Sequence, residues 1–382
     1  MMGKFKIRIV LLLIGLVSFL NLLSQAKIVG LVPVRNEDRM IVPCLKALAM
    51  YTDAIVVLDD ASEDGTVAAV QALQQECKVE RIIAKKTWYR DEPGDRNLLL
   101  QAGREIGGTH FIVIDADEMF TANLSQDNLL RNKILALQPG ERLRITWINL
   151  WRSVDAFRYD DSSWSREAVD AIFCDDGNCF YSSDFIHTSR SPSNLPGVRN
   201  LVLDNQSFSF LNSCLQQLKR PIFEYSHQDR NSIFLQRYLI DRLHNDQVSL
   251  KEAALTVGKY FQKDGFPRWD CYRNDFTAGL MHFQFVNWDN LLAKQAWYRC
   301  LEKIRNPAVD IDKINKLYGH SKQENGLRTL SCPLAWFAGY DFFDKSIYEQ
   351  NHSWQKQQVQ AWFKEYGKEF FRDLDIWDVN WE

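Results

Sequence analysis

The chain lacks several of the sequence features that assign proteins to common functional classes. It has 46 lysines and arginines against 49 aspartates and glutamates, for a formal net charge of −3. Without an excess of positive charge, there is no reason to expect a nucleic acid as partner. No GxGxxG sequence follows the first apolar run, and GxxxxGK[ST] does not occur. These absences argue against a dinucleotide-binding Rossmann domain and exclude the P-loop nucleotide hydrolases.

The eight cysteines include no CxxC pair, so a zinc site is not indicated. Their even number suits an oxidising compartment. Cys174 and Cys179 flank Asp-Asp-Gly-Asn, which is a turn sequence. This spacing predicts a hairpin closed by a disulfide.

The N-terminal segment has the three parts of a secretory leader. Basic residues precede an apolar run over residues 9–23, and Ser24-Gln25-Ala26 supplies small residues after it. We therefore expect residues 1–26 to be a leader cleaved near Ala26, or a retained signal anchor that associates with a membrane through residues 9–23. Either reading predicts a protein of the secretory pathway or of a membrane surface.

Apolar strands and amphipathic helices are predicted to alternate after this segment. Strands are expected at 27–34, 54–58, 79–84, 110–114 and 142–151, and helices at 40–50, 67–75 and 98–106. Because the crossovers are long, the first four strands should be parallel with right-handed connections. The polar, turn-rich segment 153–200 is predicted to be an insertion, and helices are expected at 232–244, 250–262 and 288–305.

Two carboxylates follow the fourth predicted strand, in the sequence His110 to Glu118, HFIVIDADE. Ligands of open α/β sheets bind beyond the carboxyl ends of the strands. Asp115 and Asp117 are two residues apart at such an end, where both can face one hard cation. Mg²⁺ and Mn²⁺ take oxygen ligands of this kind and share them with a diphosphate.

Taken together, the strand ends resemble the family 2 glycosyltransferases of the GT-A fold. The resemblance covers roughly residues 27–150 and is carried by four segments in order: Val34-Arg35-Asn36-Glu37, the turn from Leu58 to Thr66, Gly94-Asp95-Arg96-Asn97, and Asp115-Ala116-Asp117. One departure is Ala61, where the family usually has glycine. The resemblance implies a GT-A-like Rossmann-type sheet, mostly parallel, with a polar insertion and a helical, aromatic-rich C-terminal region.

The resemblance also implies roles for individual residues. Asp59 would accept a hydrogen bond from the nucleobase, Arg35 and Glu37 would shape the nucleotide pocket, and Arg96 would approach the base or the diphosphate. Asp115 would face the ribose or the donor sugar. Asp117 would hold Mn²⁺ or Mg²⁺, together with Asp115. A late histidine often serves as a further metal or diphosphate ligand, and the candidates for that role are His282 and His187.

An inverting enzyme needs one more carboxylate, as the general base that deprotonates the acceptor hydroxyl. Several aspartates qualify by position, with Asp204 and Asp161 the foremost candidates: Asp160, Asp161, Asp175, Asp176 and Asp204. We expect a metal-dependent transfer of a hexose from a nucleotide sugar, with uridine diphosphate as carrier. The acceptor is left open as a glycan, a lipid or a protein.

The predicted organisation has four parts: the leader 1–26, a nucleotide-sugar-binding half at 27–150, an acceptor-side half at 151–305 and a C-terminal extension at 306–382. Two other functions compete with glycosyl transfer. A nucleotidyltransferase with a similar sheet would need a glycine-rich, lysine-containing loop after the first strand, which Val34-Arg35-Asn36-Glu37 does not supply. A non-catalytic carbohydrate-binding protein would have no need of Asp59, Arg96, Asp115 and Asp117.

Overall fold

The computed structural model describes residues 26–158, 162, 164, 168–182, 187–200 and 278–382. Some sequence predictions fall outside these ranges: the apolar run 9–23, the helices at 232–244 and 250–262, and the general-base candidates Asp160, Asp161 and Asp204. No helix within the described ranges is long and apolar enough to cross a membrane.

Strands and helices alternate through the first part of the described chain. The strands are β1 (Ile28–Val34), β2 (Ala54–Asp59), β3 (Val79–Ala84), β4 (His110–Val113), β5 (Glu118–Phe120), β6 (Glu141–Asn149), β7 (Ala156–Arg158), β8 (Ala168–Cys174), β9 (Gly197–Asn200), β10 (Leu280–His282) and β11 (Thr329–Ser331). The helices are α1 (Ile41–Ala49), α2 (Thr66–Ala72), α3 (Glu92–Glu105), α4 (Leu129–Leu135), α5 (Trp288–Arg305), α6 (Ile311–Gly319), α7 (Ser346–Glu349) and α8 (Trp354–Tyr366). Short 3-10 helices lie at Ala122–Asn128, His320–Lys322, Leu334–Trp336 and Lys368–Phe371.

Nine of the described strands form one sheet. Its main path runs β3-β2-β1-β4-β8-β6-β10-β5, and β9 pairs with β6 beside that path. β1 pairs in parallel with β2 and β4, and β2 pairs in parallel with β3. The parallel arrangement of the first four strands is therefore as the sequence predicted.

The parallel half of the sheet is covered on both faces, which explains why its strands are continuous apolar runs. Every residue of β2 is buried. Alternate side chains enter two separate cores, with Val32 and Ile55 in one and Leu31 and Val56 in the other. Helices in the crossovers bring the carboxyl ends of β1, β2 and β4 to the same edge.

The second half of the sheet is mixed. β8 runs antiparallel to both β4 and β6, while β10 runs parallel to β6 and antiparallel to β5. This register sets His282 opposite Glu118 on one side and Asn149 on the other. The mostly parallel sheet and the helical C-terminal region confirm the predicted α/β fold of GT-A type.

The helix predicted at 98–106 begins earlier than expected. α3 begins at Glu92, and the side chain of Asp91 caps it by accepting a hydrogen bond from the Gly94 N–H at 3.1 Å. Pro93 lies in the first turn, where proline is well tolerated because its missing N–H would have no helical partner. Arg96 is consequently a buried residue of the helix rather than of a preceding loop.

The predicted disulfide between Cys174 and Cys179 is wrong. Both are free, buried thiols around the predicted turn. Cys179 Sγ donates to Asp175 Oδ1 at 3.1 Å instead. Burial raises the pKa of Cys174 to about 11 and that of Cys179 to about 12, so neither is a reactive thiolate.

Candidate active site

A cavity of about 190 Å³ opens at the carboxyl ends of β1, β2 and β4. It is closed on its other sides by residues of α3, α5 and α8. Five of the residues that the sequence singled out line it: Arg35, Glu37, Arg96, Asp115 and Asp117. Four separate segments of the sequence thus meet at one edge of the sheet.

Asp60, rather than Asp59, is the aspartate of the β2 end that lines this cavity. Asp59 is buried, and its Oδ2 accepts the N–H of Ser62 at 3.1 Å within the turn. Asp60 Oδ1 lies 2.6 Å from Lys85 Nζ, which also contacts Asp95 at 3.0 Å. The predicted contact between Asp59 and the nucleobase stays a prediction. Asp60, and not Asp59, lines the cavity.

The exits of β1 and β2 are held together by hydrogen bonds. Arg35 donates to the carbonyl oxygens of both Asp60 and Ala61. The Asn36 N–H donates to Ser62 Oγ at 2.9 Å. Ala61 has a φ of 54°, in the left-handed region that glycine adopts more easily. Ala61 therefore has a backbone conformation that glycine, the residue expected here from the resemblance, adopts with less strain.

Asp117 lies between two nitrogen atoms. Its Oδ2 is 3.2 Å from Lys294 Nζ and 3.7 Å from His282 Nε2. Burial alone would raise the pKa of Asp117, but the ammonium group of Lys294 outweighs it and lowers the pKa below the usual range. Asp117 is therefore an ionised carboxylate in a buried position.

His282 is arranged to present a lone pair towards Asp117. Its Nδ1 lies 3.0 Å from Asn149 Oδ1, which can only accept a hydrogen bond, so the proton is on Nδ1. Burial lowers the pKa of His282, which favours the neutral ring. Nε2 is then an unprotonated nitrogen beside a carboxylate, and this pair of donors fits Mn²⁺ or Mg²⁺, with Mn²⁺ the better match to imidazole.

Two clusters of ligand-type side chains occur in the described residues, and none of their members lines this cavity. Asp38, Asp64 and His352 form one, and Asp175, Asp176 and Cys179 form the other. At the cavity, Asp117 and His282 could together hold a divalent cation, with Asp117 Oδ2 and His282 Nε2 3.7 Å apart.

The negative charge of Asp115 is compensated by two arginines. Its Oδ1 is 2.7 Å from Arg190 Nη1 and 3.7 Å from Arg96 Nη2. Burial acts to raise the pKa of Asp115, and the arginines lower it below its ordinary value. Arg190 comes from residues 187–190, which are irregular.

Glu118 is a fully buried carboxylate beneath the cavity. It accepts hydrogen bonds at 2.6 Å from Arg190, at 2.7 Å from Trp147 Nε1 and at 3.0 Å from the Asp115 N–H. Trp147 in turn stacks on the ring of His282, with 4.6 Å between centroids. Glu118 therefore fixes the positions of Asp115, through Arg190, and of His282, through Trp147.

Two carboxyl groups of the cavity have raised pKa values. Burial, with Asp117 nearby, raises the pKa of Glu37 to about 8 although Lys294 opposes the shift. Burial raises the pKa of Asp95 to about 6 against the effect of Lys85. Glu37 is thus protonated at neutral pH and can donate a hydrogen bond.

The cavity has more buried hydrogen-bond donors than acceptors for them. Several N–H groups of its lining residues are buried and have no hydrogen-bond partner among the described residues: Arg35 Nε, Arg90 Nε, Arg96 Nε and Nη1, Trp297 Nε1 and Trp354 Nε1. An unpaired buried donor costs free energy, so such groups normally have partners. A ligand rich in acceptor oxygens would satisfy them.

A second cavity, of about 670 Å³, adjoins the first. The two share several lining residues: Glu92, Arg96, Asp115, Lys294 and Tyr298. His282 and His187 line the second cavity, and His187 Nε2 is 3.3 Å from the Tyr318 hydroxyl. The role of His187 as a further metal or diphosphate ligand stays a prediction.

The candidate general bases within the described residues do not face either cavity. Asp175 makes two 2.7 Å hydrogen bonds with Arg104, and Asp176 lies in the exposed turn after it. Asp170 does line the second cavity, but Arg144 holds both of its oxygens, at 2.8 and 2.9 Å.

Residues 31–127 match the family model described as "Glycosyl transferase family 2". The match bears out the resemblance to this family for residues 31–127 and supports a glycosyltransferase. The matched segment contains the ends of β1, β2 and β4 that form the cavity. No curated protein matches the chain.

Several solved structures are similar to this chain at low identity. TarS from S. aureus in complex with UDP is 14% identical, with a TM-score of 0.31, over 78% of this chain and 91% of that one. The mannosyltransferase PcManGT from Pyrobaculum calidifontis, in complex with GDP-Man and Mn²⁺, is 16% identical, with a TM-score of 0.29, over 61% and 79%. Glucosyl-3-phosphoglycerate synthase from Mycobacterium tuberculosis, with Mn²⁺, UDP and glucosyl-3-phosphoglycerate, is 17% identical, with a TM-score of 0.22, over 34% and 45%. Likenesses of this size define no shared substrate.

Replacing Asp117 by asparagine should remove the effect of the metal on nucleotide binding. In wild-type protein we expect Mn²⁺ to strengthen UDP binding, and in Asp117→Asn we expect that gain, about tenfold or more, to disappear because a charged ligand is lost. UDP binding without Mn²⁺ should not weaken, since Lys294 loses its anionic neighbour. Isothermal titration calorimetry with and without Mn²⁺ measures both quantities.

Asp312→Asn is the matched control, because Asp312 is exposed in the first turn of α6. It should bind UDP and Mn²⁺ as the wild type does. An unchanged Mn²⁺ effect in Asp117→Asn would contradict the assignment of Asp117 as a ligand.

Replacing Glu118 by glutamine should destabilise the fold. All three hydrogen-bond partners of Glu118 are donors, so the amide N–H₂ of a glutamine would face one of them. Arg190 would also lose a negative charge that compensates its own positive charge. We expect the free energy of unfolding to fall by about 3 kcal/mol. Urea titration measures it, and Glu76→Gln, which alters an exposed ion pair with Lys46, should change it by less than about 1 kcal/mol. Equal effects of the two substitutions would show that Glu118 does not hold the site together.

Proposed function

We propose that this glycosyltransferase takes a sugar from a uridine diphosphate carrier and transfers it to an acceptor bound in the adjoining cavity. The reaction would depend on Mn²⁺ or Mg²⁺ and would invert the anomeric carbon by direct displacement. The observation that carries the proposal is the set of unpaired buried donors in the cavity of the family 2 domain.

A diphosphate is the ligand chemistry that these donors fit best. Phosphate oxygens are strong acceptors, and guanidinium groups bind them through charge-assisted hydrogen bonds. Arg96 brings two unpaired N–H groups from a side chain that is 8% exposed. A neutral ligand with few acceptor atoms would leave most of the donors unsatisfied.

The leaving group of the reaction would be the nucleoside diphosphate, whose negative charge increases as the bond to the sugar breaks. Arg96 and Lys294 would stabilise that charge from two sides of the cavity. Asp117 and His282 would hold the divalent cation, which supplies Lewis-acid stabilisation of the diphosphate. Asp115, fixed by Arg190, would accept a hydrogen bond from a hydroxyl of the donor.

The second cavity supports a place for the acceptor. It is the larger of the two, and Glu92, Arg96, Asp115 and Lys294 line both, so a hydroxyl in one can reach a sugar carbon in the other. A carboxylate would take the proton of that hydroxyl as it attacks. Asp161 and Asp204 remain the proposed bases, and a glycan, a lipid or a protein remains the proposed acceptor.

Uridine is proposed because a carboxylate, Asp60, lines the end of the cavity beyond Arg35. The imide N–H of uracil can donate to that carboxylate, whereas adenine has no equivalent imide. A hydrogen bond to a charged group contributes about 1.5–3 kcal/mol.

UDP should therefore bind at least about tenfold more tightly than ADP in the presence of Mn²⁺, since about 1.4 kcal/mol corresponds to a factor of ten. Calorimetric titration of the full-length protein with each nucleotide tests this. Equal or tighter binding of ADP would contradict the proposed carrier.

The neighbouring aspartates provide a matched pair of variants for the same titration. Asp60→Asn should abolish the preference for UDP, while Asp59→Asn should preserve it, because Asp59 is held by the Ser62 N–H within the turn. If Asp59→Asn abolishes the preference and Asp60→Asn preserves it, Asp59 is the residue that contacts the nucleobase.

A further inference from the structure

Trp354 is the first residue of α8, in the C-terminal part of the chain, and it lines the cavity of the family 2 domain. The neighbouring Gln355 lines it as well. The segment from 306 onward, which the sequence predicted as an extension, therefore supplies part of the wall around the proposed nucleotide.

α8 is held in place by apolar packing and by hydrogen bonds. Val359, Trp362 and Phe363 pack in one cluster with Trp297 of α5. Ser353 caps the helix by accepting the Lys356 N–H at 3.2 Å. The position of Trp354 is consequently set by the fold and does not require a ligand to form.

The Trp354 ring lies beside Arg35. Its centroid is 5.3 Å from Arg35 Cζ, and the centroid of Trp88 is 5.1 Å from the same atom. Arg35 also donates to the carbonyls of Asp60 and Ala61. Trp354 thus belongs to the end of the cavity that Arg35 and Asp60 line.

The indole N–H of Trp354 is the feature that distinguishes it from a core residue. A buried tryptophan normally donates its N–H to a partner. Five other tryptophans, of which Trp377 is exposed, donate their N–H groups to Glu118, Glu324, the His320 carbonyl, the Arg372 carbonyl and the Ile376 carbonyl: Trp147, Trp151, Trp164, Trp377 and Trp381. Trp354 Nε1 is buried and has no partner among the described residues, and neither has Trp297 Nε1, which lines the same cavity.

We infer that Trp354 contacts the nucleoside of the donor, with its indole N–H donating to an oxygen of the base or ribose. The C-terminal segment is then a part of the donor site that contributes to nucleoside recognition. The inference rests on the proposed function, since it assumes that a nucleoside diphosphate fills the cavity.

The test compares two probes on full-length protein with Mn²⁺: UDP, and inorganic pyrophosphate, which lacks the nucleoside. Trp354→Phe keeps an aromatic ring and removes the N–H. We expect it to weaken UDP binding about fivefold, the effect of one hydrogen bond, and to leave pyrophosphate binding unchanged. Calorimetry measures both affinities, and thermal unfolding without ligand checks that the variant is folded.

The matched control is Trp381→Phe, the same substitution in the same segment at an indole whose N–H donates to the Ile376 carbonyl at 3.0 Å. It should not alter either affinity. As a second comparison, Arg96→Ala should weaken both UDP and pyrophosphate, because Arg96 is proposed to bind the diphosphate.

The other possible results test the nucleoside contact and the proposed function separately. If Trp354→Phe leaves UDP binding unchanged, or weakens UDP and pyrophosphate equally, the nucleoside contact is overturned, while the proposed function stands as long as Arg96→Ala weakens both probes. If the wild-type protein binds pyrophosphate but gains nothing from the nucleoside, the inference is also overturned. If it binds neither probe, the proposed function itself fails.

Discussion

The candidate site depends on buried charges that compensate one another at the carboxyl edge of the sheet. Asp115 is ionised because Arg190 and Arg96 lie beside it, and Arg190 is in turn held by Glu118. A buried ion without a partner is costly, so removing one member would disturb the others. The same edge also leaves several donors unpaired, and this imbalance is what makes an anionic, oxygen-rich ligand the natural occupant.

The sequence predicted the parallel half of the fold because local patterns determine it. Continuous apolar runs at β1, β2 and β4 indicate strands buried on both faces, and parallel pairing then brings the residues that follow them together. Arg35, Asp115 and Asp117 could be placed at one edge on that basis alone. The choice between Asp59 and Asp60 could not, because it depends on a turn in which Asp59 bonds to Ser62.

The residues that distant parts of the chain contribute to the cavities could not be predicted from such local patterns. Arg190 lines the second cavity from an irregular segment, and Lys294 and Trp354 line the first from two helices. No spacing in the sequence links these three residues to Asp115 or Asp117. Glu118 could have been noticed, since it directly follows the Asp-Ala-Asp sequence, but its burial depends on the register of β5 with β10. The described tryptophans occupy different environments: Trp362 packs in a core and Trp354 lines the cavity.

The central claim is that the cavity binds a nucleotide sugar and breaks the bond between sugar and diphosphate. The most direct measurement is product analysis after incubation of the full-length protein with a panel of UDP-sugars and GDP-mannose, with and without Mn²⁺. The account predicts metal-dependent release of free UDP from at least one UDP-sugar, by hydrolysis or by transfer to an added acceptor. Release of pyrophosphate or of a sugar phosphate instead, or no turnover of any UDP-sugar, would contradict it.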